Sequence, residues 1–228
     1  MSKIWLFGDS HTAGHGCTDE FEYCRNYKKD SDMIWGELLS QWTGLECINK
    51  GKNGCSNDVI FDELLKYYND INEGDIVIVG NTYYARFDVP IKDKTKKHEE
   101  WRLQSVFNQF ENFWGEDTIA CYTQEEIQTI INFMYYFGQN EVWKKRQVHR
   151  FEFIKKRLEE RGIKVYYWDV LDIAEGKGFE TIQLATNGLL KDSHLSFYGH
   201  KQLGKVLVNR IFGLNVNIGR STLIKNII

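Results

Sequence analysis

Residues 3–10 read Lys-Ile-Trp-Leu-Phe-Gly-Asp-Ser, an apolar run that ends at a glycine followed by two polar residues. The run is short and is closed by a glycine, which favours a buried strand over a helix. Similar runs recur at residues 45–48 and 75–80, and amphipathic helical stretches separate the three. Because parallel strands need crossovers of this length, the pattern predicts a parallel sheet.

The rest of the chain continues this alternation after an interruption. Between about 85 and 140, a rough helical recurrence of aromatic residues and a capping-box spacing at Thr123 and Glu126 predict two inserted helices. A long helix, a strand at 164–168 and a last helix at about 198–212 follow. Since no linker composition marks a boundary, we expect residues 1–228 to form one α/β domain with a helical insertion at about 85–140.

Composition excludes several functional classes. The 29 basic and 32 acidic side chains give a net charge of −3, so no global basic field exists to hold nucleic acid. No apolar run approaches the length of a membrane-spanning helix, and the first residues do not form a secretory leader, so a cytoplasmic location is expected. The five cysteines include no C-x-x-C pair, which predicts free thiols.

Ser10 is the first candidate for chemistry. A small polar residue that directly follows a central parallel strand lies at the edge of the sheet where open α/β folds bind ligands. A serine hydroxyl needs an imidazole base, preferably oriented by a carboxylate, to act as a nucleophile. Asp192 and His194 precede the last helix, where the chain returns to the same edge, and their i, i+2 spacing in an extended segment turns both to one side.

These segments resemble the conserved blocks of the SGNH, or GDSL, hydrolases. Residues 8–12, Gly-Asp-Ser-His-Thr, are similar to the block in which the serine is the nucleophile. Residues 49–54 resemble the second block, which implies that the backbone N–H of Gly54 lines an oxyanion hole. Residues 192–200 resemble the last block, in which an Asp and a His complete the triad. The resemblance implies a three-layer α/β/α flavodoxin-like fold around a central parallel sheet.

Two assignments within this resemblance have alternatives. The third block usually reads Gly-x-Asn-Asp, whereas residues 79–83 read Val-Gly-Asn-Thr-Tyr, so alignment on the glycine favours Thr82 as the side-chain oxyanion donor. Amide chemistry favours Asn81, because its NH₂ is a better fixed donor than a rotating hydroxyl, and we assign the role to Asn81. One residue separates Asp192 from His194 where the family often has two, so a Ser-His dyad is the alternative to a triad.

The function implied is hydrolysis of carboxylic esters through an acyl-serine intermediate. Ser10 would attack, His194 would act as the base, and Asp192 would orient it, with the oxyanion held by Ser10, Gly54 and Asn81. The substrate is an ester of a small molecule, a carbohydrate or a lipid, and no metal or other cofactor is expected. The alternatives are an acyltransferase on the same fold and a noncatalytic carbohydrate-binding or structural module.

Overall fold

A computed structural model of the protein describes residues 2–15, 34–82, 84, 86–93, 100–107, 123–137, 141–169 and 195–216. The strands of this part are β1 Lys3–Gly8, β2 Glu46–Asn49, β3 Ile76–Asn81, β4 Arg86–Asp93, β5 Glu100–Phe107 and β6 Lys164–Asp169. The helices are α1 Ser10–Ala13, α2 Trp35–Thr43, α3 Asn57–Lys66, α4 Gln124–Phe137, α5 Glu141–Glu159 and α6 Phe197–Phe212.

Among the described residues, four strands form the central sheet in the order β2-β1-β3-β6, and every pair is parallel. The predicted parallel sheet is therefore confirmed. β1 and β3 are its two inner strands, and Gly8 pairs with Gly80 where both strands end. This order places the residues that follow β1 and β3 side by side at the carboxyl edge, where doubly wound folds bind ligands.

Helices cover both faces of the sheet, so the molecule has the predicted three layers. On one face, buried apolar side chains of the sheet pack with those of α2 and α6; this cluster includes Ile4, Leu6, Ile78, Trp35, Leu39, Leu203 and Leu207. On the other face they pack with α3 and α5; this cluster includes Phe7, Val77, Val79, Ile60, Leu64, Phe151 and Leu158. Alternate residues of each strand supply the two clusters, as the pleat requires.

The expected helical insertion is wrong in its first half. Residues 86–93 and 100–107 form two antiparallel strands, β4 and β5, and among the described residues of the second half, 123–137, α4 is helical as expected. Residues 86–93 read Arg-Phe-Asp-Val-Pro-Ile-Lys-Asp, a period-two alternation that is typical of a strand. The aromatic spacing that suggested a helix ran beyond residue 107, outside the described residues. Pro90 is compatible with this hairpin because a two-stranded ribbon has open edges.

The charged run on α5 is a solvated face. Lys144, Lys145, Lys156 and Arg157 are exposed, whereas Phe151 and the apolar positions in phase with it are buried. Within the part of the chain that the structure describes, no helix has the length and apolarity needed to cross a bilayer.

Candidate active site

The turn that carries Ser10 is fixed by its neighbours in sequence. Asp9 caps the single-turn helix α1, since its Oδ1 accepts a hydrogen bond of 3.0 Å from the backbone N–H of His11. Gly14 ends α1 in the left-handed conformation at φ 79°, and its N–H donates to the carbonyl of Ser10. Ser10 therefore stands on a tight strand-to-helix turn directly after the central strand β1, and we call residues 9–14 the nucleophile turn.

The Asp9 carboxylate is almost completely buried, at 1% exposure, and it is surrounded by donors. The Thr82 hydroxyl donates to its Oδ2 at 2.7 Å, and Arg86 Nη1 lies 3.6 Å from the same oxygen. A buried carboxylate requires such compensation, because an unpaired charge in the interior is strongly destabilising. Asp9 thus fixes the turn structurally.

The loop after β2 packs directly on the nucleophile turn. Asn49 Nδ2 donates to the carbonyl of Thr12 at 2.8 Å, while Asn49 Oδ1 accepts from the N–H of Gly51 at 2.9 Å. Gly51 is required by close approach, since an added Cβ would lie 2.5 Å from the backbone nitrogen of Ala13. The N–H of Lys52 donates to the carbonyl of Gly8 at 2.9 Å. The segment 49–54, which resembles the second block, is therefore in contact with the segment 8–12, which resembles the first.

Gly54 lies at the outer end of this loop. Its φ of 68° is in the left-handed region that favours glycine, and no atom lies within 4 Å of the position that a Cβ would occupy. The next residue, Cys55, is buried, and its Sγ lies 3.6 Å from the carbonyl of Gly8. Gly54 is consequently tied to the nucleophile turn through its neighbour, with open space beside its own backbone.

The end of β3 presents the two candidates for the side-chain oxyanion donor. The Thr82 hydroxyl donates its hydrogen to Asp9. The Thr82 backbone N–H donates to Asn57 Oδ1 at 2.8 Å, and the Thr82 carbonyl accepts from Asn57 Nδ2 at 2.9 Å. Asn81 is 2% exposed, and its Oδ1 has no hydrogen-bond partner among the described residues. Thr82 is thus engaged in holding Asp9.

Three residues around the site were not identified from the sequence: Asn57, Arg86 and Gln147. Asn57 Nδ2 donates to Gln147 Oε1 at 2.9 Å, which links α3 to α5 behind Thr82. Gln147 did carry a signal, because it is spaced four residues before Phe151 on the buried face of α5. A glutamine at an apolar position of a helix indicates a buried polar contact.

The C-terminal part of the predicted triad, Asp192 and His194, lies outside the described residues. The helix that follows it, α6, begins at the Ser196 cap, whose Oγ accepts from the N–H of Gly199 at 3.1 Å. His200 is completely buried, and its Nδ1 lies 3.4 Å from the Trp35 backbone nitrogen. Trp35 Nε1 in turn donates to the carbonyl of His11 at 3.1 Å. The first turn of α6 is therefore connected to the nucleophile turn through Trp35.

A cysteine nucleophile is disfavoured at this site. Burial, with a contribution from the Asp9 carboxylate, raises the pKa of the Cys55 thiol to about 12. The thiolate is the reactive form, so this side chain is inert near neutral pH. Cys47 and Cys55 are free, as expected, and the other three cysteines lie outside the described residues. The described residues contain no group of three or more His, Cys, Asp or Glu side chains arranged for a metal ion.

Comparison by sequence gives no relatives. No protein-family model matches the chain, and no curated protein matches it either.

Comparison by structure gives matches of low sequence identity. The chain is similar to a member of the lipolytic protein G-D-S-L family from Veillonella parvula DSM 2008, with 13% identity over 93% of this chain and 99% of that chain and a TM-score of 0.42. It is similar to a variant of an acetyl xylan esterase from Geobacillus stearothermophilus, with 13% identity over 96% of this chain and 97% of that chain and a TM-score of 0.41. A family two carbohydrate esterase from Clostridium thermocellum, in complex with cellohexaose, gives 11% identity over 93% and 65% of the chains and a TM-score of 0.44.

Proposed function

We propose that the chain hydrolyses carboxylic esters through an acyl-serine intermediate formed on Ser10. The observation that carries the proposal is the nucleophile turn. Its buried Asp9 caps α1 and presents Ser10 at the carboxyl end of the central strand. Lys52 and Cys55, on either side of Gly54, both contact the carbonyl of Gly8, two residues before Ser10, which supports Gly54 as a second backbone donor. A fixed serine next to fixed backbone donors is suited to acyl transfer.

The proposed reaction has two steps. The Ser10 hydroxyl attacks the ester carbonyl while His194 takes its proton, and His194 then returns that proton to the departing alcohol. Water, deprotonated by His194, attacks the acyl-serine in the second step, which releases the acid and restores the hydroxyl. Asp192 orients His194 and stabilises its charged form, a role that rests on the sequence pattern.

The negative charge that develops on the carbonyl oxygen needs donors held in place before the reaction. We assign these to the backbone N–H groups of Ser10 and Gly54 and to the side-chain amide of Asn81. The Thr82 hydroxyl already donates to Asp9, which supports Asn81 over Thr82 in this role. Such donors contribute most when they are fixed in a site from which water is excluded.

A panel of p-nitrophenyl esters from acetyl to long acyl chains tests the proposal. Wild-type protein should hydrolyse part of the panel, and the chain-length profile would define the acyl group. Ser10→Ala and His194→Ala should each lower kcat by at least about 10³-fold, as the loss of a triad member does.

The matched control is Ser40→Ala, which removes a half-buried hydroxyl that donates to the carbonyl of Leu45 far from the site. This variant should retain wild-type turnover. Wild-type rates in Ser10→Ala would reject the proposed nucleophile. Adding an alcohol acceptor to the same assay separates hydrolysis from transfer, because a transferase forms the new ester in preference to the acid. A folded wild-type protein that is inactive on every ester would instead favour the noncatalytic module.

A further inference from the structure

The inserted hairpin reaches back to the candidate active site through its first residue. Arg86 begins β4, and its side chain is only 16% exposed. Its Nη1 donates to the carbonyl of Cys55 at 2.9 Å and lies 3.6 Å from Asp9 Oδ2. One guanidinium therefore contacts both the nucleophile turn and the loop that carries Gly54.

A second residue of β4 holds the same loop. The Ser56 hydroxyl donates to Asp88 Oδ2, and Ser56 Oγ also accepts from the N–H of Val59 as the cap of α3. Arg86 and Asp88 thus form hydrogen bonds with Cys55 and Ser56, the two residues that follow Gly54. Side chains two residues apart on a strand lie on the same face, which is why one short segment of β4 supplies both contacts.

Gly54 is exposed, and the side of its backbone on which a Cβ would lie is open. No atom beyond its chain neighbours lies within 4 Å of a Cβ built there, so no packing on that side holds it. Its position relative to Ser10 depends on the contacts of the neighbouring residues, which include the contacts of Lys52 and Cys55 with Gly8, the contact of Asn53 with His15 and the two contacts from β4.

We propose that Arg86 is a positioning residue that sets the spacing between the nucleophile turn and the Gly54 loop, and thereby aligns the two backbone donors of the oxyanion hole. The inference rests on the proposed function, because it concerns the same site. Arginine is suited to this role since its guanidinium is always charged and its rigid plane holds Nη1 between the Cys55 carbonyl and the Asp9 carboxylate. A lysine retains the charge beside Asp9 but on a flexible stem without that rigid plane.

The kinetic signature of a positioning residue differs from that of a residue needed for folding. Misplacing a donor weakens an interaction that exists mainly in the transition state, so kcat falls while KM changes little. The affinity for a boronic acid, which adds to an activated serine as a tetrahedral adduct, should fall in parallel. A shift of about 1 Å caused by a distant change costs up to about 10²-fold in rate.

The experiment compares Arg86→Gln, Arg86→Lys and a matched arginine control on the most active p-nitrophenyl ester. The control is Arg161→Gln, because Arg161 also donates to backbone carbonyls, those of Tyr68 and Ile71, at the opposite end of the sheet. Folding of each variant is followed by far-ultraviolet circular dichroism and thermal melting, so that rates refer to folded protein.

We expect Arg86→Gln to lower kcat by about 10–100-fold with less than about a threefold change in KM, and to weaken boronic-acid binding by a similar factor. Arg86→Lys should recover part of this loss, and Arg161→Gln should retain wild-type kcat. Unchanged kcat in folded Arg86→Gln, or an equal loss in Arg161→Gln, would overturn the positioning role while Ser10-dependent hydrolysis stands. If wild-type turnover does not depend on Ser10, the proposed function fails first and the positioning role fails with it.

Discussion

Thr82→Val removes the hydroxyl that donates to the buried Asp9 carboxylate at 2.7 Å and leaves the shape of the side chain almost unchanged. Asp9 then keeps the N–H of His11 at 3.0 Å and the Arg86 guanidinium at 3.6 Å. A hydrogen bond to a charged group contributes about 1.5–3 kcal/mol. In a chain of this length each kcal/mol corresponds to about 2–4 °C in melting temperature, so we expect a decrease of about 3–12 °C.

The assay pairs thermal melting with ester kinetics. Thr129→Val is the control, because the Thr129 hydroxyl also donates its hydrogen, at 2.8 Å, but to the neutral carbonyl of Glu125. A bond to a neutral acceptor contributes about 0.5–1.5 kcal/mol, so the control should lower the melting temperature less than Thr82→Val. An unchanged melting temperature in Thr82→Val would show that the bond to Asp9 does not support the fold.

Kinetics of the same variant decide the oxyanion donor. If Asn81 supplies the side-chain donor, Asn81→Ala should lower kcat by about 10²–10³-fold with little change in KM, and Thr82→Val should lower it much less. A large loss of kcat in Thr82→Val alone would show that alignment on Gly80 is right and that the assignment to Asn81 is wrong. If kcat falls by no more than a few-fold in both variants, the oxyanion hole consists of backbone donors only.

Three further predictions follow from the site and its surroundings. Because His194 must be neutral to act as a base, kcat/KM should rise with pH through a pKa of about 6–7, and a flat profile from pH 5 to 8 would remove it from that role. Burial raises the pKa of the Cys47 and Cys55 thiols from 9.0 to about 12, so the stability they contribute is fully present below pH 9 and is lost as the pH rises toward 12. The midpoint of urea unfolding should therefore fall less steeply with pH between pH 8 and 11 in Cys55→Ala than in wild type. Equal slopes of midpoint against pH in the two proteins would contradict this. Gly51→Ala places a Cβ 2.5 Å from the Ala13 backbone nitrogen and should destabilise the fold by about 1–3 kcal/mol in urea titration, whereas wild-type stability would show that the loop can move away.

The central sheet could be predicted from the sequence because its strands are short apolar runs bounded by turn residues. Residues 4–8 and 76–81, on the two inner strands, are buried throughout, and the edge strand 164–169 adds the buried side chains of Val165, Tyr167 and Trp168, so hydrophobicity marks these strands without reference to the rest of the chain. The β4–β5 hairpin was missed since its alternating pattern is shorter than the aromatic recurrence that overlaps it. Periodicity alone does not decide between two overlapping patterns of this kind.

The site was predictable where local sequence determines the geometry. The cap formed by Asp9 depends only on its neighbours in sequence. The close approach of Gly51 to Ala13 occurs in a loop whose glycines are visible in the sequence. The partners of Asp9 were not predictable, because Thr82 and Arg86 are more than 70 residues away and reach it only when β3 and β4 are in place. No local pattern links either side chain to Asp9.

Covalent labelling of the serine tests the central claim most directly. A fluorophosphonate phosphonylates an activated serine hydroxyl, so folded wild-type protein should gain one adduct that peptide mass spectrometry assigns to Ser10. Ser10→Ala should gain none under the same conditions, while Ser40→Ala should label at the wild-type rate. An adduct on another residue, or a folded wild-type protein that takes up no label, would contradict the account of Ser10 as an activated nucleophile.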